Sequence, residues 1–171
     1  MKEFKLTMEL VPVTAQYANL RNELSRSAWE KIAKETKEGQ TNKCGICGIQ
    51  GKRMYCHEIW DYDDSDFIYT LKGFISLCGF CHDVKHMGLT KIRAEQGMVD
   101  LDAVIEHFCQ VNGCTRADYE EHSLIAFTEY HARSEFNWRP NFGEYSFLIQ
   151  QERAKRKQKG KEDKKSNIRI Q

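Results

Sequence analysis

The alternation of apolar and polar positions divides the chain into a short list of elements. Residues 4–11 (Phe-Lys-Leu-Thr-Met-Glu-Leu-Val) alternate with the period of a strand, which Pro12 closes. Ser27-Ala-Trp-Glu30 has the spacing of a capping box ahead of a helix that runs to about Glu38, where Gly39 ends it. Arg53–Trp60 and Ile68–Leu77 read as two strands flanking an acidic loop from Asp61 to Asp66. Asp100 caps a predicted helix over 101–111 with Leu101, Val104, Ile105 and Phe108 on one face, stopped by Asn112-Gly113. Thr115-Arg-Ala-Asp118 caps a longer one to about Glu135, with Tyr119, Leu124, Phe127 and Tyr130 at helical spacing.

Between the first helix and this later pair, the periodicity is interrupted by chemistry. Cys44-x2-Cys47 and Cys78-x2-Cys81 are separated by thirty residues. A two-residue gap lets both sulfurs of a pair reach one ion from a tight turn, and four thiolates in tetrahedral geometry suit zinc. Gly45, Gly48 and Gly79 suit such turns. A redox dithiol is the competing reading of a lone pair, but two pairs without a thioredoxin-like context favour structural Zn2+. Cys109, beside Phe108, reads as a small buried hydrophobe. Cys56, next to His57, is a neighbour of the metal region rather than a fifth member of a shell already filled.

Three of the six histidines crowd the same region. If Cys81 opens a helix, His82 and His86 lie one turn apart on one face, a chelating spacing. His57 ends the first strand of the motif, which the cysteines would tie to that helix. The trio is therefore a candidate second metal site, with surface histidines that bind nothing as the alternative. His107, His122 and His131 on the later helices carry no such pattern.

The order Cys44-x2-Cys47, Cys56-His57-Glu58-Ile59-Trp60 and Leu77-Cys78-Gly79-Phe80-Cys81-His82-Asp83-Val84-Lys85-His86 resembles the zinc-containing branch of the HNH nucleases over about residues 41–88. The resemblance implies an α+β chain with a ββα-metal, treble-clef-like zinc core. Outside the resemblance, periodicity and charge give an N-terminal strand and helix extension at 1–40, a helical scaffold at 91–150 packed on the zinc-stabilised core of 41–90, and a basic, disordered tail at 151–171. The resemblance implies His82 and His86 as ligands of a divalent ion (Mg2+, Mn2+, Ni2+ or Zn2+). Aligned on Ile59, it makes His57 a further ligand and places Glu58 where the family has its general-base histidine. The family's central Asn falls near Gly73. A second register makes Cys56 the ligand and His57 the base. The implied activity is metal-dependent hydrolysis of phosphodiester bonds in DNA, and the alternative is a catalytically degenerate relative that binds nucleic acid or a protein partner.

Composition adds three constraints. Mean hydropathy is −0.67 and no apolar run reaches the ~20 residues of a membrane span, so a cytoplasmic protein without a membrane partner is expected. Net charge is +1, but Glu152–Gln171 alone carries nine Lys/Arg and three acids. That block either solubilises the chain or adds salt-sensitive affinity for a polyanion. Lys85, Lys91 and Arg93 are candidate phosphate contacts near the motif helix. A core of fifty residues depends on its metal, so chelation is expected to melt 41–90 and leave the later helices partly helical.

Overall fold

The computed structural model describes residues 3–168, with side chains described to Gln158. The described chain is a mixed α+β protein with a three-stranded sheet of order β1-β2-β3. Strands β1 (Tyr55–Asp63) and β2 (Ile68–Leu77) form an antiparallel hairpin, and β3 (Arg139–Asn141) adds in parallel to the start of β2. Among the described residues seven α-helices accompany it: α1 (Leu20–Glu23), α2 (Arg26–Gly39), α3 (Gly79–Lys85), α4 (Met87–Glu95), α5 (Leu101–Asn112), α6 (Arg116–Ser134) and α7 (Ser146–Ile168). Among the described residues no helix is long and apolar enough to cross a membrane.

Several elements follow from local chemistry. Asp100 caps α5 by accepting from Ala103 N, and Thr115 and Asp118 form the reciprocal capping box of α6. Helix α2 starts earlier than its sequence spacing predicts: Ser25, two residues before Ser27, caps it by accepting from Ala28 N. The acidic run splits. Asp61 to Asp63 extend β1, Asp63 closes the hairpin turn by accepting from Ser65 and Asp66, and Asp64 receives a two-pronged bond from Arg133.

The alternation at 4–11 does not make a strand. Leu6 and Met8 are buried as a strand pattern predicts, but no neighbouring strand pairs with them. Their backbone groups are satisfied one at a time by helices. Asn112 accepts from Leu6 N and donates to Leu6 O, His122 Nε2 accepts from Met8 N, and Glu9 N donates to Lys85 O.

A bulge divides the hairpin. Ile59 pairs with Gly73 and Trp60 with Leu71, leaving Lys72 as the extra residue of β2. The odd-numbered residues of β2 therefore change faces. Tyr69 and Leu71 share one face with Trp60 and Tyr62, whereas Ile75 and Leu77 share the other with His57. The first face packs on Leu20, Leu24, Phe142 and Ile149, and the second joins the main core of Leu6, Val84, Met87, Val104, Ile105, Phe108 and Tyr119. Residues from before position 40, from 41–90 and from 91–150 are buried in that one core, which includes Cys44 and Cys81.

The start of the basic block is ordered where disorder was expected. Over 150–158 helix α7 consists of Gln, Glu, Arg, Ala and Lys, all strong helix formers, and it docks on α1. Glu152 is buried and accepts from Ser25 N, Arg153 pairs with Glu23, and Arg156 donates to Leu24 O. The side chains of Lys159, Lys161, Lys164, Lys165 and Arg169 lie outside the described residues.

His122 must be neutral to accept from Met8 N, and burial holds its pKa below 6.5. A folded-state pKa below the unfolded one means stability that is complete above about pH 6.5 and is lost as pH falls. Urea denaturation from about pH 7.5 down to about pH 5 is expected to show this loss, and His122→Gln, which retains an acceptor, should shrink it.

Candidate metal centre

The loop after α2 reverses sharply to present the first cysteine pair. Cys44 N donates to Ile49 O and Gly48 N to Cys44 O, and Gly48 takes a φ of 76° that disfavours a side chain. Gly45 is required for a different reason. A Cβ there would lie 2.6 Å from Ile75 Cγ1, because Gly45 N donates to Ser76 O at the end of β2. Gly79, by contrast, has no such constraint and begins α3. The second pair sits at the N-terminus of that helix, where Cys78 Sγ accepts from Cys81 N as the cap.

These two turns bring Cys44, Cys47, Cys78 and Cys81 together with all four sulfurs within 4.8 Å of one another. Tetrahedral coordination at Zn–S of ~2.3 Å places sulfurs ~3.8 Å apart, and Cys47 Sγ lies 3.7 Å from Cys78 Sγ. The donor set and spacing fit a metal ion and are those of a structural zinc site. Hydrogen bonding from Cys81 holds the Cys78 thiol down to about 3, and burial pushes Cys47 up to about 11. His107, which the sequence pattern left without a role, places Nε2 3.2 Å from Cys81 Sγ and stacks on Phe80. It is a neighbour of the sulfurs of the kind that tunes a metal site without ligating it.

Beside the sulfurs, β1 and α3 bring His57, His82 and His86 together, again with one ring nitrogen from each within 4.8 Å. His57 points inward from β1, and His82 and His86 are one turn apart on α3 and at its end. His57 Nδ1 and His86 Nε2 face each other at 3.2 Å. Burial, with charged-state repulsion from His86 and His57, holds His82 down to about 3, and burial with repulsion from His57 holds His86 down to about 4. Both are therefore neutral near pH 7, the form in which imidazole donates a lone pair.

Glu9 is the functional neighbour that sequence patterns missed. Its carboxylate receives His57 Nε2 at 2.8 Å on one oxygen and Lys85 Nζ on the other. Burial raises its pKa, but the bond from His57 and the charge of Lys85 outweigh this and leave it below the ordinary value. Lys85 is itself buried and spent on this contact and on Thr7 Oγ1, so it does not offer a phosphate contact. Lys91 lies over the Phe127 ring and Arg93 pairs with Asp83.

Glu58 is not brought to the trio. Successive strand residues face opposite ways, and its carboxylate accepts from Arg21 N and Trp60 Nε1 on the other side of the sheet. Burial raises its pKa. Cys56 shares that side and has Thr36 as a hydrogen-bond partner. Comparison with family models, curated proteins and solved structures found no match.

Because Cys44 and Cys81 belong to the same core as α5 and α6, metal removal should reach beyond 41–90. Elemental analysis is expected to find zinc that Cys44→Ser or Cys78→Ser abolishes. Stripping it should lower the melting temperature in one transition by far-ultraviolet circular dichroism, with the α5 and α6 signal lost alongside the rest; two separate transitions would contradict a shared core.

Proposed function

We propose that the chain is an HNH-like, metal-dependent endonuclease of ββα-metal architecture that hydrolyses phosphodiester bonds in DNA. The observation that carries this reading is the convergence of His57, His82 and His86 directly beside the four-cysteine cluster, on a hairpin followed by a helix. Two features support it further. The hairpin β1-β2 and helix α3 occur in the order that the resemblance requires, and His82 and His86, both held neutral near pH 7, bring ring nitrogens to within 4.8 Å of one from His57.

His57, His82 and His86 would hold a divalent ion, which when bound supplies Lewis-acid stabilisation of a phosphate and of the leaving oxygen. A set of three imidazoles suits Ni2+ or Zn2+ better than the harder Mn2+ and Mg2+, which favour oxygen ligands. Cys44, Cys47, Cys78 and Cys81 would fix α3 against the hairpin and hold the histidines in register. Glu58, which the resemblance assigns as the base that takes a proton from water, starts on the other side of the sheet from the trio, where burial raises its pKa. To act so it would exchange its bonds to Arg21 and Trp60 for one to water. Those same bonds favour the second reading, a zinc-stabilised HNH-like protein that has kept the metal centre and binds nucleic acid or a protein partner without cutting.

Incubation with plasmid and single-stranded DNA across Mg2+, Mn2+, Ni2+ and Zn2+ distinguishes the two. Cleavage is expected to require added metal and to fall by about 100-fold or more in His86→Ala and in Glu58→Gln. Cleavage that survives in His86→Ala sinks the nuclease reading. An unaffected Glu58→Gln removes Glu58 as base, and DNA retention without cleavage by any ion establishes the second reading.

A further inference from the structure

We propose that Glu9 is a positioning residue of the histidine centre, fixing the His57 ring so that its free nitrogen faces His82 and His86. The N-terminal segment is then part of the site rather than an appendage. The inference rests on reading the trio as a metal site.

A carboxylate only accepts, so the 2.8 Å contact between Glu9 Oε2 and His57 Nε2 assigns the ring proton to Nε2. In the neutral ring that tautomer leaves the Nδ1 lone pair directed at the centre, where it faces His86 Nε2 at 3.2 Å. With only 6% of its surface exposed, His57 has little room to reorient. A carboxylate behind an imidazole is a recurrent way of orienting a metal-binding histidine and raising its basicity.

Glu9 is itself held from several directions. Lys85 Nζ donates to its other oxygen, and Glu9 N donates to Lys85 O at 3.0 Å. Lys85 immediately precedes His86, so one residue joins the carboxylate to the end of α3. Three residues upstream, the Leu6 backbone donates to and accepts from the side-chain amide of Asn112 on α5, and Met8 N donates to His122 of α6. The helical pair thus reaches the centre through Glu9, giving α5 and α6 a role beyond core packing.

The test uses full-length, zinc-loaded protein with Glu9→Gln, and the double variant Glu9→Ala/Lys85→Met, which leaves no unpaired buried lysine. Calorimetric titration with Ni2+ alone, at unchanged zinc content, is expected to show about 10–100-fold weaker binding in both variants, with His86→Ala losing the site. Long-range 15N–1H spectra recorded before Ni2+ is added should show His57 as the Nε2–H tautomer in the parent and a mixture in the double variant. Equal Ni2+ affinity in parent and variants, or a parent Nδ1–H tautomer, overturns the proposal. If the parent takes up no Ni2+, the metal reading of the trio fails, and the tautomer decides the Glu9 assignment: Nε2–H supports it and Nδ1–H overturns it.

Discussion

Two tight turns thirty residues apart must bring four sulfurs to one point, and most of the architecture is arranged around that demand. The turn at Cys44–Cys47 follows α2, while the turn at Cys78–Cys81 begins α3 directly after β2. Joining them fixes the end of α2, the hairpin and the motif helix relative to one another. Gly45 shows how close the approach is, since its backbone lies against Ile75 with no space for a side chain. Thiolates this close would repel one another without a cation, so a metal held there would stabilise the core. The surrounding core is not confined to the motif. Leu6, Phe108 and Tyr119 bury against the same cluster as Cys44 and Cys81, so the clamp and the helical scaffold share their stability.

The hairpin then assigns its residues to two environments. His57 and Glu58 are adjacent in sequence but occupy opposite faces, one in the histidine centre and one among Arg21 and Trp60. The extra residue at Lys72 allows β2 to serve both cores, with Tyr69 and Leu71 on one face and Ile75 and Leu77 on the other. Without the bulge, a strict period of two would send one of these apolar pairs to the wrong side. Separation of His57 from Glu58 is thus a consequence of strand geometry, and it sets the reach required of any base at position 58.

The N-terminal segment and the two later helices complete the centre from outside the motif. Asn112 and His122 satisfy the backbone of residues 6–8, which leaves Glu9 beside His57 and Lys85. His107 of α5 comes against Cys81 from the same side. One helix thus contacts the sulfur cluster directly and steadies the histidine cluster at one remove.

Local chemistry made much of this legible before any coordinates. The spacing of Cys44, Cys47, Cys78 and Cys81 and the one-turn separation of His82 and His86 pick out candidate ligands, which the structure brings together in two groups, because short-range geometry limits which atoms can converge. Caps at Asp100 and Thr115 act within three residues and were placed correctly, as were the bounds of β2. Burial of Leu6 and Met8 was also readable, but alternation reports only which side is covered, not what covers it; helices satisfy that backbone where a strand was expected. Glu9 and His107 carry no motif, since their partners are 48 and 26 residues away. Which face Glu58 occupies, and which carboxylate stands behind His57, were decided only when the hairpin, α3 and the N-terminal segment packed together, because those contacts depend on distances that no local pattern encodes.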